Sequence, residues 1–405
     1  MMQVKLKSLL MMMLMCSAAL AGCLGSEDEE EDGTETGAIK STINIAYYLA
    51  DDSTVDANAQ GMADRLAADL GVNVNLYDVS SEGMIIQALR FGNADIGFME
   101  GGPAWIGWKQ YGLSVMAVET TTAEGDTHYN ASAWVLNGSD IAEAHLDGDD
   151  STDPFALLEG KTSCHTGWLK SAGMLMPMGY LIKNGYVTPV GDANDINSLR
   201  TTVDTHFDGS NGNGNAASIP DSGALYSGYG GAIECLSSGY GDVAFAKGDD
   251  FSTPEKYCGS ENSSDNEDWC LEMEEYIQLP SFGQSPSHPV MYNPELLDVH
   301  TRNAILNAML SWSDEMWIID YPMDGQNYTG CYNVVTHQVA DIPMNQCGGE
   351  IISTVTSKGY KLVAGNSQNH LGSYSDLLGS IPGLSEYYHS SDKYGITDAE
   401  ESQQN

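Results

Sequence analysis

The sequence predicts an α/β protein with two related lobes that face a common cleft. Near the N-terminus, strand-like segments alternate with helical segments of about 10 to 15 residues, a pattern typical of a parallel sheet with right-handed crossovers. The stretches "ADIGFMEGG" and "GDVAFAKGD" also share one order of residue types, namely small, Asp, aliphatic, small, Phe. Two copies of this strand-to-loop arrangement indicate two lobes, and ligands of such sheets bind beyond the carboxyl ends of the strands.

The first lobe opens with a predicted βαβαβ unit. Met62, Leu66 and Leu70 recur at helical spacing and indicate its first helix, and Ser80 or Ser81 caps its second. The segments between these helices are short, apolar and bounded by glycine or polar residues, which favours strands. The predicted strands cover residues 42–50, 72–76 and 94–99.

A second, similar unit is predicted between residues 129 and 250. It comprises a strand over 129–137, a helix over 172–182 and a strand-to-loop segment over 241–250. Residues 197–223 include "DGSNGNGNAASIPDSG", a composition that predicts a mobile, exposed loop. The tail after about residue 388 is expected to fray.

The N-terminus has the pattern of a secretion signal. Lys5 and Lys7 precede the apolar run "LLMMMLMCSAAL", and small residues follow up to "LAGC", which ends at Cys23. This pattern resembles the bacterial lipoprotein signal, which implies cleavage after residues 1–22 and acylation of Cys23. An ordinary cleaved signal or a membrane helix is the alternative, although the apolar run is short for a bilayer. Residues 23–39 are too acidic to fold and are expected to form a tether.

The chain is strongly acidic, with 57 Asp and Glu against 16 Lys and Arg and a formal net charge of −41. Such a field repels nucleic acid and acidic membrane surfaces, which excludes nucleic-acid binding as a function. The sequence contains no GxSxG elbow, Walker loop or GxGxxG fingerprint. We therefore expect a protein that is not an enzyme.

Six cysteines remain once Cys16 leaves with the signal and Cys23 takes the lipid. An even number in an exported chain favours disulfides, and no CxxC spacing argues for zinc. Six cysteines allow fifteen pairings. Short loops favour Cys258 with Cys270 and Cys331 with Cys347, which leaves Cys164 for Cys235.

Four separated segments resemble the transferrin family. "LLEGKTSCHTGWLKSAGMLMPMGYLI" is similar to the transferrin anion-binding segment, in which Cys-His-Thr-Gly precedes Arg-Ser-Ala-Gly at a helix start. "SGYGGAIECLSSGYGDVAFAKGDD" resembles the stretch that carries the second tyrosine ligand, and "SPSHPVMY" resembles the stretch with the histidine ligand. "NHLGSYSDLLGSIPGLSEYY" is similar to the end of a transferrin lobe. The resemblance covers one lobe, from about residue 43 to residue 388.

The resemblance implies the two-lobed α/β fold of type II periplasmic binding proteins. Each lobe would be a mixed, mostly parallel sheet flanked by helices, with the ligand cleft between the lobes. Lobe one would comprise residues 40–127 plus 287–390 and lobe two residues 128–286, with two crossing strands as the hinge and 391–405 as a flexible tail. A disulfide between Cys164 and Cys235 is also implied. The phosphonate and phosphate binders of this superfamily fit the N-terminal half equally well.

The resemblance implies four protein ligands for a ferric ion, namely Glu100, Tyr129, Tyr229 and His288. Glu100 stands where the family has aspartate, so its arm is one methylene longer. Fe(III) prefers anionic oxygen with some imidazole, and it lowers the pKa of a bound phenol from about 10. One carboxylate and two phenolates then balance the charge of the ion. A bidentate anion, carbonate or bicarbonate, would fill the two remaining positions.

The resemblance places this anion on Thr166, Lys170 and the backbone amides of Ala172 and Gly173. A helix N-terminus offers N–H groups without intrahelical partners and about half a positive charge. Lys170 stands where the family has arginine. A guanidinium donates two parallel hydrogen bonds to carbonate, whereas an ammonium acts as a point charge. The replacement by lysine therefore puts the affinity for carbonate, or the identity of the bound anion, in question.

The function implied by the resemblance is the uptake of ferric iron with a synergistic carbonate. The protein would be a monomer, held by lipid at the cell surface or in a periplasm-like space, and would deliver iron to a membrane importer of ABC type or to an iron receptor. The alternative is a phosphate- or phosphonate-type binding component of an ABC importer. In that case the helix end from Thr166 to Gly173 is the entire site and the tyrosines line it. An exported hydrolase is a third possibility.

Overall fold

The computed structural model describes residues 37–48, 53–79, 82–149, 151–221, 223–248, 267–355 and 360–390. The signal, Cys23, most of the tether, Ser80, Ser81, Cys258 and the tail lie outside the described residues. All elements below belong to one unit, Ile39–Asn405. None of the helices in the described ranges combines the length and apolar character that a bilayer crossing requires.

The predicted βαβαβ unit is present at the start of the first sheet. Strand β1 (Thr42–Tyr48) lies between the parallel strands β2 (Asn73–Val79) and β3 (Ile96–Phe98). The crossovers are helices α1 (Ser53–Leu70) and α2 (Glu82–Arg90). Both helices carry the predicted apolar stripe, since Met62, Leu66, Ile85 and Leu89 are buried.

Three further strands complete this sheet, β4 (Ser114–Glu119), β10 (Pro289–Tyr292) and β14 (Leu362–Ala364). The strand order is β14-β4-β10-β3-β1-β2, and the pairs β3–β10, β10–β4 and β4–β14 are antiparallel. One face packs against α1 with α8 (Val299–Trp312) and α9 (Gly348–Val355), and the other against α2 with α3 (Gly101–Tyr111). Because β10 comes from far along the chain, the first sheet joins two distant stretches of sequence.

The second sheet belongs to the other lobe and centres on β5 (His128–Leu136). Strand β5 runs antiparallel to β7 (Val243–Lys247), β8 (Tyr276–Gln278) and β9 (Gly283–Pro286), and β6 (Ser163–Cys164) pairs parallel with β7. The fold is thus α/β with mixed sheets, as predicted, although the strand pairs of the second sheet are mostly antiparallel. Its helices are α4 (Asp140–Leu146), α5 (Met176–Lys183), α6 (Asn197–His206) and α7 (Gly228–Ser237).

The predicted loop over residues 197–223 is wrong for its first ten residues, which form α6. Leu199 and Val203 lie one helical turn apart and are buried, so they anchor this helix to the core. The Gly- and Asn-rich remainder is irregular, but Ser218 pairs with the β6 strand through hydrogen bonds to Ser163 and His165. The composition of the whole segment obscured the short apolar stripe.

The C-terminal region adds a separate antiparallel meander and two further helices. The meander consists of β11 (Glu315–Met323), β12 (Gln326–Asn333) and β13 (Gln338–Ala340). Helices α10 (Ser367–Leu378) and α11 (Leu384–Ser390) follow. Two of the predicted disulfides are present, Cys331–Cys347 with 5.4 Å and Cys164–Cys235 with 6.1 Å between Cα atoms. The pair Cys258–Cys270 stays a prediction because Cys258 lies outside the described residues.

Candidate functional site

The predicted anion-binding helix begins at Ser171. A π-helical turn, Ser171–Leu175, runs directly into α5, and Lys170 is the N-cap residue. The Lys170 carbonyl accepts from the amides of Met174 and Leu175, at 2.9 and 3.0 Å. The Lys170 side chain makes no capping hydrogen bond and is exposed. The first amides of the helix are therefore not capped by this side chain, which is the arrangement an anion requires.

Thr166 lies against the start of this helix with a buried hydroxyl. Its Oγ1 makes no hydrogen bond among the described residues, although the residue is only 5% exposed. Gly173 packs so closely on Thr166 that a Cβ at Gly173 would overlap the threonine side chain. His165 fixes the same turn, because its Nδ1 donates to the Gly173 carbonyl at 2.8 Å while its Nε2 accepts from the Ser163 hydroxyl at 2.9 Å. A buried donor without a partner beside helix amides is suited to a ligand.

The two candidate tyrosines come from different elements and meet at this helix end. Tyr129 lies near the start of β5, opposite Ser285 in β9. Tyr229 is in the first turn of α7, where Gly228 has a φ of 74° that a residue with a side chain rarely adopts. The Gly228 amide donates to the Thr166 carbonyl at 2.9 Å, and this bond ties α7 to the anion segment. The Cys164–Cys235 disulfide holds the same two segments together.

The environment of Tyr129 shows which groups surround its hydroxyl. Burial raises the pKa of the Tyr129 phenol above its usual value, and the negative charge of Glu100 raises it further. The neighbouring hydroxyl groups of Ser285, Tyr229 and Ser171 act in the opposite direction. The hydroxyl groups of Tyr129 and Tyr229 are thus neighbours, the charge of Glu100 acts on Tyr129, and the Tyr129 phenol is neutral at ordinary pH.

Glu100 and Lys247 occupy equivalent places in the two copies of the strand-to-loop arrangement. Glu100 follows β3 as the N-cap residue of α3, and Lys247 ends β7. The Lys247 Nζ lies 4.2 Å from the ring centroid of Tyr129 and 5.6 Å from that of Tyr229. Opposite charges from the ends of β3 and β7 therefore act on Tyr129.

Ser171 and Tyr374 add a contact from the C-terminal segment. Their hydroxyl oxygens lie 2.8 Å apart, which links the first residue of the anion-binding helix to α10. Burial raises the pKa of the Tyr374 phenol above its usual value. The Ser171 hydroxyl opposes this shift, and the nearby Tyr129 and Glu100 reinforce it.

His288 lies between β9 and β10, at the same end of the strands of the first sheet as Glu100. The register of β10 against β3 pairs Val290 with Phe98, and its continuation sets His288 across from Glu100. The His288 Nδ1 is 4.0 Å from Oε1 of the buried Glu119, and its backbone amide donates to the same oxygen at 3.2 Å. The described contact of this imidazole is thus with Glu119.

Sequence reasoning missed Lys247, Ser171, Ser285 and Tyr374 as members of this site. Lys247 could have been found, because it stands in "GDVAFAK" where Glu100 stands in "ADIGFME". The other three are brought in by strand register and by long-range packing of α10, for which the sequence carries no local signal.

Comparisons with known proteins give a family and several partial relatives. A family model described as "ABC transporter, phosphonate, periplasmic substrate-binding protein" matches residues 48–321. Serotransferrin-1 of Salmo salar is 31% identical over 183 residues, which is 40% of this chain and 23% of that protein. Ovotransferrin of Gallus gallus is 32% identical over 178 residues, again 40% of this chain and 23% of that protein. The match thus spans less than a quarter of these curated relatives.

Among solved structures, XAC2383 from Xanthomonas citri bound to ATP aligns with a TM-score of 0.49 and 13% identity, covering 86% of this chain and 99% of that chain. The family model, in contrast, matches more than half of the chain, and it agrees with the two-lobed α/β architecture described above. The chain therefore belongs to the family of periplasmic substrate-binding proteins of ABC phosphonate transporters.

Proposed function

We propose that this protein captures a small oxyanion of the phosphonate or phosphate class for an ABC importer. The observation that carries this proposal is the buried Thr166 hydroxyl, which has no partner among the described residues and lies against the uncapped helix start at Ser171. Backbone amides and the positive end of the helix favour an anion at this place. The family to which the chain belongs supports the same ligand class.

The surrounding side chains supply further donors for such an anion. Ser171, Tyr129 and Tyr229 carry hydroxyl groups, and the raised pKa of Tyr129 keeps its phenol protonated, so it donates rather than repels. Lys247 adds a positive charge beside both rings. The exposed Lys170 adds another at the helix N-cap, in keeping with its predicted role.

A second candidate cargo is ferric iron bound together with an anion such as carbonate. The observation that favours it is the pair of neighbouring Tyr129 and Tyr229 hydroxyl groups, with the charge of Glu100 acting on Tyr129, because phenols and a carboxylate are hard oxygen donors of the kind Fe(III) prefers. The partial likeness to transferrins supports this cargo. The phenol protons would have to leave on binding, so uptake of the metal would release protons. His288 would serve as the fourth ligand only if it turned from Glu119 to the phenols.

One pair of titrations separates the two cargoes. The metal-free protein is titrated calorimetrically with phosphate and methylphosphonate, and separately with ferric nitrilotriacetate and bicarbonate while visible absorbance is recorded. Saturable binding of the phosphonate without a visible band supports the oxyanion cargo. A visible band that disappears in Tyr229→Phe supports ferric iron, and absence of both responses would refute the proposed site.

The proposal includes export and attachment to the membrane through Cys23, so that the protein presents its cargo to the importer. The lipoprotein pattern ending at Cys23 supports this location. Replacing Cys23 with serine should release the protein from the membrane fraction, and mass spectrometry of the wild type should find an acylated N-terminal cysteine. Equal membrane retention of both forms would contradict the anchor.

A further inference from the structure

The β11-β12-β13 meander forms a surface that lies apart from the candidate cleft residues in sequence and in sheet membership. The match to the family model ends at residue 321, so β12 and β13 lie beyond the part of the chain that the family shares. The meander is held firmly at its base by the Cys331–Cys347 disulfide and by the double hydrogen bond between Arg65 and Glu315. A well-anchored sheet outside the segment matched by the family model is a candidate for interaction.

One face of the meander carries a row of aromatic rings. Tyr328 and Tyr332 lie four residues apart in β12 and therefore on the same face of that strand. Gly330 lies between them and is covered by Val339 and Ala340 of β13. Tyr321 packs on Tyr332 with ring centroids 6.2 Å apart and planes 27° from parallel. The Tyr332 hydroxyl lies 2.8 Å from Nδ1 of His337, which fixes the orientation of the ring.

The rings of Tyr328, Tyr332 and His337 line a surface pocket of about 380 Å³. Asp324 stands in the β11-β12 turn at the edge of this pocket and is exposed. The lining residues are Met323, Asp324, Tyr328, Tyr332, His337 and Val339. Aromatic walls with a carboxylate at the edge suit an organic cation, because ring faces attract cations and the carboxylate pairs with them.

The stretch of chain that contains the meander is rich in exposed apolar side chains and in carboxylates. Met316 and Tyr321 are 47% and 48% exposed, and Ile319 and Val335 are exposed further, at 69% and 65%. Residues 303–357 contain no lysine or arginine. The acidic residues of this stretch are Asp314, Glu315, Asp320, Asp324, Asp341 and Glu350. Glu315 is paired with Arg65, and Asp324 is the carboxylate that lines the pocket. A complementary partner therefore combines apolar and basic side chains.

We propose that the meander docks a basic segment of a partner protein, and that an arginine or lysine of that segment enters the pocket between Tyr328 and Tyr332. The cation lies against the ring faces and pairs with Asp324 at the edge. An anionic lipid surface does not fit the meander, because residues 303–357 carry carboxylates and no lysine or arginine. An extracytoplasmic segment of a membrane importer has access to such a surface.

The test uses the full chain and two short peptides, acetyl-Gly-Arg-Gly-amide and the same peptide with neutral citrulline in place of arginine. Binding is followed by NMR chemical-shift titration. We expect the arginine peptide alone to bind, and Tyr332→Ala and Asp324→Asn each to weaken it at least about fivefold. Tyr77→Ala and Asp204→Asn, which change an exposed tyrosine and an exposed aspartate elsewhere, should leave binding unchanged.

Three outcomes would overturn the proposal. The citrulline peptide could bind as well as the arginine peptide, or Asp204→Asn could weaken binding as much as Asp324→Asn, which would mean non-specific attraction to an acidic protein. In the third outcome, phosphatidylcholine vesicles sediment the protein in a Tyr332-dependent way while the peptide does not bind, which assigns the pocket to a lipid headgroup. Asp324→Asn keeps a residue type that tolerates the positive φ of 47° at this turn, so it tests the pocket even if Tyr332→Ala fails to fold.

Discussion

The hydroxyl groups of Ser171 and Tyr374 lie 2.8 Å apart, so the helix that offers its N-terminus to an anion is tied directly to the C-terminal helix α10. Ser171 opens that helix, and Tyr374 is fully buried within α10. Two residues 203 positions apart in the chain thus share one hydrogen bond at the candidate site. Its removal should disturb ligand binding more than folding.

Tyr374→Phe removes this hydrogen bond and keeps the ring. We expect the affinity for the bound oxyanion to fall about tenfold, because the Ser171 hydroxyl loses the contact that orients it. Calorimetric titration with methylphosphonate measures the change, and Tyr77→Phe on the edge strand β2 is the matched control. Equal affinities for wild type and Tyr374→Phe would show that Tyr374 has no positioning role.

Gly173→Ala should abolish anion binding. The new methyl group would overlap the Thr166 side chain, so either Thr166 or the helix start has to move away from the binding position. Gly379→Ala, whose Cβ would meet only the Ser375 carbonyl at 3.3 Å, is the control for a glycine replaced elsewhere. Retained binding in Gly173→Ala would place the anion away from this helix.

Stability should depend on pH through His165. Burial lowers the pKa of His165 from 6.5 to about 4, with the nearby charge of Arg200 acting in the same direction against the hydrogen bond to Gly173. The unfolded chain therefore binds a proton below pH 6.5 that the folded chain does not take until about pH 4. The free energy of unfolding should fall as pH drops through this window, by at most about 3 kcal/mol from this residue.

Chemical unfolding at several pH values checks this expectation. His165→Asn keeps a donor for the Gly173 carbonyl but cannot titrate, so its free energy of unfolding should vary less between pH 6.5 and pH 4 than that of the wild type. Parallel curves for the two proteins would assign the acid sensitivity to other groups.

The Arg65–Glu315 pair should contribute measurably to stability. Arg65 donates to both carboxylate oxygens of Glu315 at 2.8 Å, and its side chain is only 13% exposed. Burial alone would lower the pKa of Arg65, but its bonds to Glu315 and Asp69 raise it above the usual value. Glu315→Gln should cost about 2 kcal/mol and lower Tm by several degrees, whereas the exposed Glu274→Gln should change little. Identical Tm values for the two variants would contradict this role.

The parts of the fold that rest on local apolar spacing could be predicted from the sequence. The first βαβαβ unit, which ends near Phe98, could be predicted because each of its elements has its own apolar spacing, such as that of Met62 and Leu66 in α1. The helix starting at Ser171 was predicted within one residue for a similar reason. The antiparallel direction of β5 depends on its partners, which no local pattern encodes.

The residues of the candidate site likewise fall into those that the sequence marked and those that only the tertiary structure brings in. Glu100 and Tyr229 were implied by the resemblance to transferrins, and their local settings, after a buried strand and among glycines, agree with that assignment. Ser285 is placed at the site by the register of β9 against β5, and Tyr374 by the packing of the distant helix α10, so neither could be predicted from local sequence. The association of His288 with Glu119 likewise follows from strand order, since β10 lies between β3 and β4.

The most direct test of the central claim is calorimetric titration of Thr166→Val with methylphosphonate. Valine has nearly the shape of threonine, and the Thr166 hydroxyl has no partner among the described residues, so the thermal stability of the variant should equal or exceed that of the wild type. Binding should weaken about tenfold or more because the anion loses a donor. Undiminished binding in a stable Thr166→Val protein would contradict an oxyanion site at this helix end.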